Sequence, residues 1–126
     1  MVHDKTIEVI KNSEPKLSVK FFQQASKEEP VRDWLRSLPE KEKKAIGTDI
    51  KAAQFGWPLG APLVKHIEGD IWEVRTWLKD KTARVLFIID GKTMVLLHGY
   101  IKKTQKLPTQ DLKLAQDRLK KLRGVR

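Results

Sequence analysis

The sequence predicts an α+β domain, a small antiparallel sheet with an N-terminal helical hairpin and a C-terminal helix, in the order β-α-α-β-β-β-α. Three observations carry this expectation. Apolar residues recur at helical spacing in two stretches before residue 57, and again in a last stretch after residue 109. Between residues 71 and 100, three runs have strand character and are separated by short turns.

Taken in order, Asn12-Ser13-Glu14-Pro15 is turn-rich and divides an N-terminal extension, residues 1–15, from the domain proper, residues 16–126. Lys16 to Gln23 (KLSVKFFQ) reads as a strand. Ser26 followed by Glu29 has the form of a capping box, with Pro30 tolerated in the first turn. Val31, Trp34, Leu35 and Leu38 then give a short helix to about Ser37. Pro39 opens a second helix with a stripe of Ile46, Ile50 and Ala53, and Gly56 is placed to stop it.

The stretch WPLGAPLVKHIEGD contains Pro58, Gly60, Pro62 and Gly69 and is expected to be largely loop. Next come IWEVRTWL (71–78), ARVLFII (83–89) and TMVLLHGY (93–100). Lys79-Asp80-Lys81 is a loose turn, whereas Asp90-Gly91 is a hairpin signal, since Gly accepts the positive φ of a type I′ turn. Thr109 is expected to cap the final helix, whose Leu112, Ala115, Leu119 and Leu122 form one apolar stripe.

A chain of 126 residues that is 40% hydrophobic is long enough to bury one core. The absence of Cys excludes disulfides and thiolate metal sites. No apolar run approaches a membrane span and the N-terminus lacks a secretion-signal core, so a soluble cytoplasmic protein with no membrane partner is expected. Net charge is +10, and it is concentrated: Ile101–Arg126 holds nine basic and two acidic residues. A positive end of this kind implies a polyanionic partner, unless it only solubilises a helix.

Strand alternation places Ile71, Glu73, Arg75 and Trp77 on one face of their strand, and Met94, Leu96, His98 and Tyr100 on one face of theirs. Glu73, Arg75, Arg84, His98 and Tyr100 are thus polar groups in a sheet that otherwise looks buried, with Lys102 and Lys103 directly after. Taken singly, each has a plain structural explanation. Glu73 suits an ion pair with Arg75 or across strands, and a lone strand His is most often a hydrogen-bonded structural group. Convergence is the argument for a site, because one sheet end gathers an imidazole, a phenol and two ammonium groups, with two guanidinium groups nearby.

Familiar alternatives lose ground. There is no G-x-x-x-x-G-K-[ST] loop, no G-x-G-x-x-G fingerprint, no H-E-x-x-H helix and no G-x-S-x-G elbow. The histidines, His3, His66 and His98, are far apart in sequence, and neither a metal nor another cofactor is expected. A cation-rich site suits RNA phosphodiester chemistry, in which the 2′-hydroxyl is the nucleophile. Arg75 and Arg84 can stabilise charge on phosphorus, since a guanidinium offers phosphate a bidentate fork. His98, Tyr100, Lys102 and Lys103 remain open as groups that exchange protons.

At these residues the chain resembles the RelE/ParE toxin superfamily, and within it the phage-derived HigB-like branch of type II toxin–antitoxin systems. The resemblance rests on IWEVRTW (71–77), ARVLFII with Arg84, VLLHGYIKKTQKLP (95–108) and a following helix with Ala115 and Arg118. Upstream, WLRSLPEKEKKAI (34–46) is similar to the family's helical hairpin, so about residues 16 to 122 are covered.

The resemblance implies the fold above and a cytoplasmic, ribosome-dependent, metal-free mRNA endoribonuclease. Such a toxin makes a 2′,3′-cyclic phosphate, inhibits translation, and is neutralised by a cognate antitoxin, typically of helix-turn-helix type. It implies catalytic roles for Arg75, Arg84, Lys102 and Lys103, with His98 and Tyr100 as further transfers, Tyr100 standing where Phe is common. The basic residues Lys106, Lys113, Arg118, Lys120, Lys121 and Arg123 would contact RNA or the ribosome. Two other functions share the fold: a ParE-like inhibitor of DNA gyrase, and a non-catalytic nucleic-acid-binding accessory protein.

Overall fold

The computed structural model describes residues 14–103 and 108–124. The proposed extension, residues 1–15, therefore lies almost wholly outside the described residues. The elements are β1 (Ser18–Phe21), α1 (Pro30–Arg36), α2 (Glu40–Gly56), β2 (Val64–Glu68), β3 (Ile71–Trp77), β4 (Thr82–Asp90), β5 (Thr93–Lys102) and α3 (Thr109–Leu122). The α+β class is as the sequence predicts. The five strands lie in the order β1-β5-β4-β3-β2, antiparallel except for the parallel β1–β5 pair.

Both faces of this sheet are covered. The α1–α2 hairpin buries Val31, Ile46, Ile50 and Ala53 against Val74, Val85, Phe87, Met94 and Leu96. On the opposite face, α3 sets Ala115, Leu112, Leu119 and Leu122 against Ile71, Leu86, Ile88, Val95 and Leu97. Burial on two sides explains why β4 and β5 read as nearly continuous apolar runs rather than as alternation. Among the described residues no helix is long and apolar enough to cross a membrane.

Several local expectations need correction. Part of the stretch expected to be loop is the edge strand β2, which pairs Val64 with Val74 and Lys65 with Glu73 and carries a bulge between His66 and Glu68. Its exposed Lys65, His66 and Glu68 hid it, because an edge strand solvated on one side lacks a strong apolar signal. Ser26 does not cap α1. Glu29 occupies the N-cap without a side-chain cap and pairs with Arg32 at 3.0 Å, while Pro30 starts the helix. Thr109 is likewise the first residue of α3, after Pro108 at the N-cap.

The hairpin after β4 turns on Gly91-Lys92, with Asp90 paired to Thr93. Positive φ is confined there to Gly91, at 62°, which is the signature of a type II′ rather than a type I′ turn.

The correction that matters most for function is a β-bulge. Phe87 pairs with Leu96 and the preceding Leu86 with His98, so β5 has one residue more than β4 at Leu97. The extra residue reverses the alternation beyond it. Met94 and Leu96 face the helical hairpin, but Tyr100, expected on their face, joins the α3 side, and Gly99 takes the hairpin side against the Trp34 ring.

Candidate active site

Beyond the bulge, the α3 face of the sheet carries three cross-strand rows. Glu73, Leu86 and His98 form the first; Arg75, Arg84 and Tyr100 the second; Trp77, Thr82 and Lys102 the third. Two arginines directly opposite each other repel, and a like-charged pair at such a position is destabilising. Glu73 relieves the repulsion. Its Oε1 accepts from Arg75 Nε at 2.9 Å and from Arg84 Nη1 at 2.7 Å, and its Oε2 accepts from the Tyr100 hydroxyl at 3.3 Å.

Glu73 is only 2% exposed, and these donors satisfy both of its carboxylate oxygens. The bridge holds Arg75 through Nε and Arg84 through Nη1, and leaves the remaining Arg75 nitrogens not taken up by Glu73. Arg84 Nε is buried and has no hydrogen-bond partner among the described residues.

Arg75 and Arg84 line a groove of about 580 Å³ together with Trp77, Lys102 and Lys103. Lys65, Lys79 and Lys81 add three more cations, and the lining holds one carboxylate, Asp80. Lys81 is partly spent on Glu42 of α2, at 2.9 Å. A groove so charged attracts an anion, and rigid arginines inside it suit a phosphate. Among the described residues no three or more His, Asp or Glu converge as a metal site would require.

Of the residues singled out from the sequence, Arg75, Arg84, Lys102 and Lys103 meet in this groove. Tyr100 lies beside it, in a small adjoining hollow under Pro108 and Leu112. Burial, with the nearby Glu73 charge, pushes the Tyr100 phenol well above its ordinary value of 10, so it holds its proton at neutral pH. His98 stacks behind Tyr100 at 5.7 Å and is turned toward α3. Its Nε2 meets Asp111 Oδ1 at 2.7 Å and its Nδ1 meets Arg118 Nη1 at 3.2 Å, so both ring nitrogens are engaged. Burial holds the imidazole below 6.5, with Asp111 opposing and Arg118 assisting.

Arg118 is turned inward as well. It donates to the Leu97 carbonyl at 2.8 Å, satisfying an acceptor at the bulge where the ladder is disrupted. Lys113, Lys120 and Lys121 are exposed on α3, and Arg123, at its C-cap, is exposed and rests on Asp70 at 2.8 Å. Lys106 lies outside the described residues. The sequence reading missed Lys65, because its strand was taken for loop. It also left Glu73 out of the site, although its place two residues before Arg75 marked it as an ion-pair partner.

The pattern that defines the family "Phage derived protein Gp49-like (DUF891)" matches residues 33–120. The chain is also 32% identical over 102 residues to proteins named probable endoribonuclease HigB1 in two strains of Mycobacterium tuberculosis, CDC 1551 / Oshkosh and ATCC 25618 / H37Rv. Those alignments span 80% of this chain and 81% of each relative. Both findings agree with the HigB-like resemblance carried by residues 71–77, Arg84 and 95–108.

Proposed function

Because this chain belongs to the phage-derived Gp49-like family, we propose that it is the toxin of a type II toxin–antitoxin system, an endoribonuclease that cleaves mRNA on the ribosome in the cytoplasm. The observation that carries the reading is the Arg75–Glu73–Arg84 bridge at the floor of a groove bordered by Lys102 and Lys103. Similarity to proteins named probable endoribonucleases supports the same chemistry.

In this reading the RNA 2′-hydroxyl attacks the adjacent phosphorus, the 5′-oxygen leaves, and a 2′,3′-cyclic phosphate remains. Negative charge grows on the phosphoryl oxygens in the transition state. Arg75 and Arg84, already oriented by Glu73, stabilise that charge without reorganising. Lys102 and Lys103 hold the strand and exchange protons with the attacking and leaving oxygens. Tyr100 keeps its proton, and His98 is occupied by Asp111 and Arg118, so both support the groove wall. The exposed lysines of α3 add a sequence-independent attraction to ribosomal RNA. A cognate antitoxin neutralises the toxin by covering the groove with carboxylates.

The test is a reconstituted translation reaction with ribosomes programmed by a defined mRNA, with cuts mapped by primer extension. Expected are cuts in the decoding-site codon that require ribosomes and disappear in Arg75→Ala and Arg84→Ala. Intact mRNA with folded wild-type protein would sink the reading, and inhibition of gyrase supercoiling would then be the assay for the ParE-like alternative.

A further inference from the structure

Trp77 is the most exposed large apolar side chain among the described residues, at 67%. The other three of the four tryptophans are used in packing. Trp34 covers Gly99, while Trp57 and Trp72 meet edge to face at 5.0 Å. An indole carries a large apolar surface, and leaving it in water forfeits that burial unless something covers it. Trp77 stands at the end of β3, on the face that bears Arg75, in the cross-strand row with Thr82 and Lys102. It lines the same groove as Arg75, Arg84 and Lys103. Two strand steps, about 7 Å, separate its backbone position from that of Arg75.

The surroundings identify the occupant. A π face among lysines and arginines, with Asp80 the one acidic residue of the lining, complements a molecule that is both flat and polyanionic. Single-stranded nucleic acid has that chemistry, since every base offers a π face next to a phosphate. We infer that Trp77 is a base-stacking platform, which takes the unstacked base of a nucleotide whose phosphate rests on Arg75 and Arg84. The inference rests on the RNA-cleaving reading for its substrate, and it adds a subsite that orients the strand before attack.

The test uses the full chain at low salt. It is titrated with a 2′-O-methyl RNA oligonucleotide, whose blocked hydroxyl prevents cleavage, and with an abasic oligonucleotide of equal phosphate count. The base-bearing strand should quench tryptophan fluorescence and bind roughly 5- to 150-fold more tightly than the abasic one. Trp77→Ala should lose that advantage and bind the abasic strand as wild type does, while Trp77→Phe keeps most of it. Equal binding of the base-bearing strand by wild type and Trp77→Ala, or no quenching in wild type, would overturn the platform. So would a variant that binds RNA normally but fails to bind its antitoxin, since the indole would then belong to a protein contact. Cleavage on programmed ribosomes is scored separately. A base advantage without cleavage leaves the platform standing and removes the nuclease reading, and cleavage without a base advantage does the reverse.

Discussion

Glu73 and Arg84 are joined by a 2.7 Å hydrogen bond across two strands, and the same carboxylate oxygen holds Arg75. Glu73 is the group that permits two guanidiniums to sit opposite one another in a sheet. Glu73→Gln keeps the shape but removes the charge. It should lower stability by roughly 2–4 kcal/mol, as expected when a buried ion pair loses one partner. Cleavage should fall at least about tenfold, mainly in the rate of the chemical step, because the arginines lose their fixed orientation. Urea unfolding and single-turnover cleavage on programmed ribosomes measure the two effects. An unchanged single-turnover rate would remove Glu73 from the positioning of the arginines.

Tyr100→Phe deletes only the hydroxyl that donates to Glu73 Oε2 at 3.3 Å. Since that phenol is held well above its ordinary value, it does not act as a base near neutrality. The variant should cut mRNA within about threefold of wild type, the scale of one weak hydrogen bond. A hundredfold loss would instead assign the hydroxyl to proton transfer.

Lys65, on the edge strand β2, and Lys102, at the end of β5, both border the groove. Lys65→Ala and Lys102→Ala should each weaken binding of single-stranded RNA uniformly across sequences. Each should also reduce the slope of log K against log salt by about 0.7, the loss of one phosphate contact. Salt titrations of the two variants decide this, and an unchanged slope would place that lysine off the strand.

Gly99 packs directly under the Trp34 ring, where any added Cβ would overlap the indole carbons. Gly99→Ala should therefore destabilise the fold by roughly 1–3 kcal/mol through overpacking. A lowered urea midpoint with an unchanged m-value is the expected result. No shift in midpoint would mean that Trp34 moves aside freely.

His98 binds its proton less readily in the fold than its ordinary value of 6.5, chiefly because it is buried. Below that value the unfolded chain takes up more protons than the native state, so acid favours unfolding. The stabilisation is complete above 6.5 and is lost as pH falls toward the folded-state value. His98→Gln should flatten this dependence below 6.5, measured by urea unfolding at each pH. A slope equal to wild type would mean that the Asp111–His98–Arg118 contact does not couple to folding.

By itself the sequence determined the α+β class and the helical stripes, and it singled out the candidate site residues. Ile46, Ile50 and Ala53 on one helix, Leu112, Ala115 and Leu119 on another, and Gly91 at the hairpin state local conformation directly. Periodicity and backbone sterics act over a few residues, so one segment contains the whole signal. Tertiary structure decided which of those residues meet. The parallel seat of β1 beside β5, the edge strand β2 with its Lys65, and the extra residue at Leu97 all depend on pairing between distant segments. The bulge is the clearest case. Strict alternation puts Tyr100 on the hairpin face. One added residue, with its carbonyl held by Arg118 twenty-one positions away, brings it to Glu73 beside both arginines.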